Sequence, residues 1–297
     1  MDDGYFPRGT SVLRRVQEER AVGLFYGQRA LCIGALKPLN YVGTSEHTKA
    51  KLTPFKRLAH TGAWFETVFF GTRAEADRVL EAVDRMHRRV HGELPEDAGP
   101  HYPKGTPYSA FDPELMLWTV AVMMDSAECF HDLLVRRLEP AEREGLWQDY
   151  IRFAELFGMP REAAPPSYSE FRAWWKETLA ADDLFLTDEA RWVGYATAFG
   201  IPLPAHLQPA KRVHDAIMLG SLPARVREIY DLPWSRARAA AFRAAVAAHR
   251  AARRVAPRAL AIGESRPFFE LVADTERRRI ERGRFTPQVT AAPVQRP

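Results

Sequence analysis

The chain has few of the features that would place it in an oxidising compartment. It carries only two cysteines, Cys32 and Cys129, with no CxxC pair. That excludes a disulfide scaffold and a cysteine-based zinc or iron–sulfur site, and it fits a cytoplasmic protein. Neither sign of charge dominates: 42 basic residues face 38 acidic ones, for a formal net charge of +4. With no basic tail and no DNA or RNA recognition motif, nucleic acid is not an expected partner. The longest apolar run, residues 115–124, is far below the roughly 20 residues a membrane span needs. The apolar stretch at 30–36 is too short and too late to be a signal peptide. The P-loop, the GxGxxG turn, the GxSxG elbow and the HExxH helix are all missing as well.

The composition that is present, 46% hydrophobic and 11% aromatic, describes a chain able to bury a large core. Few stretches alternate at period two and none is bounded as a hairpin, whereas apolar residues at helical spacing recur throughout. The expected class is all-α: a single large helical domain of about ten helices. It should span 11–284, after a loose N-terminal segment 1–10 and before a flexible tail 285–297. Expected helices include 11–18 and 21–36, the latter burying Leu24, Phe25, Leu31, Ile33 and Leu36. Residues 40–51 read as irregular, with His47 on the surface, and a helix opens at Pro54. Residues 93–111 form a loop rich in Pro and Gly. Asp112-Pro113 then starts a helix over 114–137 that is apolar nearly all round and therefore central. Capping signals, Gly and Pro mark further helices near 140–157, 171–181, 188–199, 209–220, 222–230, 235–254, 257–260 and 267–282.

Chemistry concentrates in residues 56–92. Arg57, His60 and Thr61 lie on the helix opened by Pro54, beside Phe55, Trp64, Phe65, Phe69 and Phe70, which would build an apolar cleft. A buried arginine is costly unless it meets an anion, so this cluster suggests a ligand with acidic groups; an ordinary ion pair is the alternative. After Gly71, Thr72 and Glu75 make a capping box for the next helix. Its apolar face comprises Val79, Leu80, Val83, Met86 and Val90, with His87 inside the stripe, His91 at its margin, and Gly92 as the stop. His87 is either a satisfied core residue or a ligand. Asp125, Glu128 and His131 are too dispersed for a metal triad, and Asp182-Asp183 reads as a capping turn.

The segments SVLRRVQEE, RALCIGALKPL, the Arg-x-x-His-Thr cluster, FFGTRAEADRVLEAVDRMHRRVHG, PYSAFDPELMLW, AFGIPLP and IYDLPW resemble, in that order, the DUF2236 family. That group includes MpaB-type oxygenases and, more distantly, latex-clearing rubber oxygenases. The resemblance covers roughly residues 11–260. It implies an all-helical fold around haem b, with dioxygen chemistry on a small apolar substrate such as an isoprenoid, a lipid or a natural product. It makes His87, the histidine of H-x-x-V-x-G, the proximal iron ligand, with His91 as fallback. It also implies that Arg57 pairs with a propionate and that His60 or Thr61 donates a hydrogen bond beside it. Trp64, Phe65, Phe69, Trp118, Thr119 and Met123 would line the cofactor pocket. Many members carry a histidine soon after the tryptophan of the DPxLLxW helix, where this chain has Thr119 and Val120. Two other readings stand beside this one: a non-haem metalloenzyme using His87, His91 and His60, and a non-catalytic helical module binding lipid or haem.

Overall fold

A computed structural model describes residues 4–46 and 53–284. His47 and the expected tail 285–297 lie outside the described residues. The elements are α1 (Val12–Gln17), α2 (Arg20–Gly23), α3 (Tyr26–Gly34), α4 (Pro38–Glu46), α5 (Pro54–Phe70), α6 (Arg73–His87), β1 (His91–Glu93) and β2 (Pro107–Ser109). There follow α7 (Pro113–Leu134), α8 (Pro140–Leu156), α9 (Tyr168–Ala180), α10 (Asp188–Phe199), α11 (Gln208–Ser221), α12 (Ala224–Ile229), α13 (Arg236–Val255), α14 (Arg258–Ala261) and α15 (Arg266–Glu281). The fold is all-α apart from one small β-ribbon, and it has more, shorter helices than the ten expected.

The centre is α7. Asp112 accepts hydrogen bonds from the Glu114 and Leu115 amides, and Pro113 occupies the first position, where a missing N–H costs nothing. Its side chains are buried nearly all round, and α1, α2, α3, α4, α8 and α13 all pack against it. Inside this shell lies a polar cluster whose extent the sequence did not disclose. Arg29 donates to Asp125 (2.8 Å), to Ser126 (2.9 Å) and to the Ser221 carbonyl (3.1 Å). Arg172 reaches the second oxygen of Asp125 at 2.6 Å. Tyr168 donates to Glu128, which also pairs with Arg143, and His131 Nδ1 donates to the Arg136 carbonyl at 2.9 Å. Buried charges persist only when paired and hydrogen-bonded, and here they are.

Several expectations need correction. The single helix over 21–36 is two, separated where Phe25 takes φ −125°; its ring lies between Phe130 and His214, at 5.0 and 4.7 Å. Leu31, expected in the buried stripe, is exposed on the resulting α3. The stretch after Lys37 is helical rather than irregular, because Pro38 sits at the first position of α4, where its fixed φ starts a helix instead of breaking one. The loop over 93–111 contains a strand, since β1 and β2 pair antiparallel with Gly92 opposite Tyr108. The segment before Ser11 is not loose throughout: Phe6 is buried edge-on against Phe69, and Tyr5 donates to Asp77. Asp183 is not a cap but accepts from Lys37 and Tyr102. Among the described residues, no helix is long and apolar enough to cross a membrane.

Candidate functional site

Helices α5 and α6 form a hairpin that turns at Gly71. Thr72 caps α6 through a complete capping box, its hydroxyl accepting from the Glu75 amide while Glu75 returns to the Thr72 amide at 2.8 Å. Arg57 and His87 stand about equally far from this turn, roughly 20 Å along their helices at about 1.5 Å per residue. The hairpin therefore carries the arginine cluster and the histidine to its same open end.

At that end α5 presents Arg57, half-buried, with His60 and Thr61 exposed. The His60 ring tilts over Trp64, with centroids 4.5 Å apart. Burial pushes the Arg57 pKa down, while the nearby Tyr41 of α4 opposes that shift. Helix α4 also packs on β2 and α7, and its Asn40 donates to Thr119 at 2.9 Å. From α6, His87 meets the edge of Phe111, with centroids 5.9 Å apart. Phe111 sits between β2 and the cap of α7 and lies close to Gly158. Helices α4, α5 and α7, the end of α6 and strand β2 thus surround one region. Along α5, Phe65 packs on Phe153 and Phe157, whereas Phe69, expected to line the pocket, is a core residue beside the Gly71 turn, packed on Phe6 and Phe153 at the other end of the hairpin.

His87 is the anomaly of this region. Its Nδ1 is buried and has no hydrogen-bond partner among the described residues. Buried polar atoms are almost always paired, so an orphan calls for an explanation. Burial lowers the pKa of the ring, Asp84 opposing, so the imidazole is neutral at neutral pH. Asp84, one turn back, does not orient the ring, being engaged by Arg88 Nε at 2.8 Å and Nη2 at 3.2 Å.

Not every expected residue joins the site. Trp118 is a core pillar instead: its indole donates to the Gly34 carbonyl at 3.0 Å, and its ring tilts against Trp175. An indole N–H needs a buried acceptor, and Gly34 of α3 supplies it. Met123 is buried on α7, and Thr119 is exposed beside α4. His91 cannot follow His87 on one helical face, because α6 ends at His87. The Arg89 and Val90 amides close tight turns onto Met86 and His87, and His91 opens β1. Gly92 is thus a strand residue rather than a helix stop; a Cβ there would meet the Tyr108 hydroxyl at 2.9 Å. No three metal-ligating side chains gather among the described residues, so the His87, His91 and His60 set is not assembled. His60, Thr61 and Met86 all face solvent, so this end of the hairpin is exposed on that side. Tyr41 and Phe111 escaped the sequence reading. Only the position of Phe111 in the Y-x-A-x-D-P element hinted at it.

The chain has two similar proteins of interest, uncharacterized protein Rv2237 of Mycobacterium tuberculosis and uncharacterized protein Mb2261 of Mycobacterium bovis. Each is 27% identical over 204 residues, covering 69% of this chain and 76% of the relative. No solved structure matches the chain. The family model described as ER-bound oxygenase mpaB/B'/rubber oxygenase, catalytic domain, matches residues 14–251, which include every site residue above and exclude α15. The chain therefore belongs to the mpaB and rubber oxygenase catalytic-domain family.

Proposed function

We propose that this oxygenase-family domain is a haem b-dependent oxygenase that uses dioxygen on a small apolar substrate, with His87 as the residue that would hold the iron. The observation that carries the reading is the buried, unpartnered Nδ1 of the half-buried His87 imidazole, whose pKa burial lowers, at the open end of the hairpin. A neutral imidazole with an unengaged nitrogen is the form that binds iron. The surrounding donor set also fits the group: aromatic walls suit a flat macrocycle, and the Arg57 guanidinium suits a propionate. When bound, haem would supply the activation of oxygen.

The remaining work falls to the chain. Arg57 would hold an acidic edge of the cofactor and fix its orientation. Thr61 and His60, exposed on the following turn, would donate hydrogen bonds beside that edge. Phe65 and Trp64 would exclude water from one side and receive an apolar substrate such as an isoprenoid, a lipid or a natural product. Phe111 would hold the His87 ring plane by its edge contact. Thr119, where many members have histidine, offers a hydroxyl already bonded to Asn40 and to the Leu115 carbonyl, so it has no free base to lend.

The test is the visible spectrum of protein expressed with a haem precursor, read beside metal analysis. The expected result is a Soret band that shifts on reduction and with carbon monoxide and is lost in His87→Ala. Haem loading unchanged in that variant would overturn the ligand. A protein that takes no haem would overturn the whole assignment.

A further inference from the structure

Helices α5 and α15 run against each other along most of their length, and each caps the other's N-terminus with a buried glutamate. At one end Glu276 of α15, only 1% exposed, accepts from the Phe55 amide at 3.3 Å and the Lys56 amide at 2.9 Å. Those are orphan donors in the first turn of α5, and its own N-cap residue, Thr53, makes no side-chain cap. At the other end Glu66 of α5 accepts from the amide of Ser265, the N-cap of α15, which likewise has no side-chain cap of its own. Between the two caps Gly62 admits the Phe269 ring, which a Cβ would meet at 3.1 Å. Phe55 and Val272 add a small separate core with Ile201 and Leu203.

The two ends of this clasp are unequal. Both oxygens of Glu276 are engaged, whereas Glu66 Oε2 and Ser265 Oγ are buried without partners. The satisfied end is the one next to Arg57, which follows Lys56 directly in the chain. On the α5 wheel Phe55, Gly62 and Glu66 lie opposite Arg57, Thr61 and Trp64. Whatever holds the back of α5 therefore sets the angle at which the front presents its cluster.

We propose that α15, which lies beyond the residues matching the oxygenase family model, is a clasp for the site. Its Glu276 is a positioning residue that fixes the first turn of α5 and thereby the aim of Arg57. The catalytic-domain match ends at residue 251, so the cap for its cluster-bearing helix comes from outside it. The role assigned to Arg57 rests on the haem reading; the clasp itself does not.

Amide hydrogen exchange on the full-length chain separates the two. In Glu276→Ala the Phe55, Lys56 and Arg57 amides should exchange about tenfold faster, the scale of a lost helix cap, while amides at the centre of α7 keep their protection. Glu276→Gln, which retains the shape and loses the charge, should show a smaller acceleration at the same amides, and it answers the question if the alanine variant does not fold. Unchanged exchange at Phe55 and Lys56 would overturn the clasp. Positioning is then read as haem affinity in Arg57→Ala, in Glu276→Gln and in the double variant. Full non-additivity is expected, because Glu276 acts through Arg57. Additive losses would overturn the positioning role. If the wild-type chain binds no haem, the haem reading fails while the exchange result still decides the clasp.

Discussion

The polar groups around α7 and those at the open end of the α5–α6 hairpin obey opposite rules. Around α7 every charge has its complement: Arg29, 3% exposed, is matched by Asp125, Ser126 and the Ser221 carbonyl, and Glu128 by Tyr168 and Arg143. At the hairpin end His87 keeps a buried nitrogen unpaired, His60 and Thr61 stand in solvent, and Met86 is 45% exposed. Each unpaired member in a low-dielectric interior is costly, so the α7 network gains by closing on itself, and the unpaired nitrogen of His87 is a cost that the hairpin end carries.

The largest test of this contrast is Asp125→Ala. It strands the Arg29 guanidinium in the interior and should cost about 3–5 kcal/mol, read as a fall in the denaturant midpoint. A loss below about 1 kcal/mol would show that the α7 network is not structural. Next in size is acid sensitivity. Burial lowers the pKa of His131 from 6.5 to about 4. Above pH 6.5 it is neutral both folded and unfolded, and its contribution is fully present. As pH falls from 6.5 toward 4 the unfolded chain takes up a proton that the folded one refuses, and at most about 3 kcal/mol is lost. The slope of stability with pH over that window should flatten in His131→Gln; an unchanged slope would assign it elsewhere.

Thr72→Ala removes half of the capping box and should cost about 1 kcal/mol, with melting by circular dichroism as the readout. His87→Leu should behave unlike any change around α7. It deletes an unpaired nitrogen and places an aliphatic group against Phe111, so stability should shift by less than about 1 kcal/mol, toward greater stability. Haem loading should nevertheless disappear. A loss beyond about 2 kcal/mol would make His87 an ordinary core residue. His60→Ala is the smallest, below about 0.5 kcal/mol by the same measurement, because the side chain is exposed.

Much of this was legible in the chain. Thr72 with Glu75, and Asp112 ahead of Pro113, announce helix starts through local bonds, and the structure makes them: the Glu75 amide donates to Thr72, and the Glu114 and Leu115 amides donate to Asp112. The all-round apolar character of residues 115–124 placed α7 at the centre for the same kind of reason. Features that depend on distant residues were not legible. The start of the 40–51 stretch looked irregular because the partners of α4, β2 and α7, begin about seventy residues away. His91 looked helical because the pairing of Gly92 with Tyr108 leaves no mark at period 3.6.

The helical class and the caps were determined by the sequence alone, since each rests on spacing within a few turns. Only the tertiary structure decided that Trp118 belongs to α3 and α9, that His87 keeps an unpaired nitrogen, and that Glu276 caps α5 from some 220 residues away. The reason is physical: burial and hydrogen-bond satisfaction are properties of what packs around a group, and that company is assembled from the whole chain.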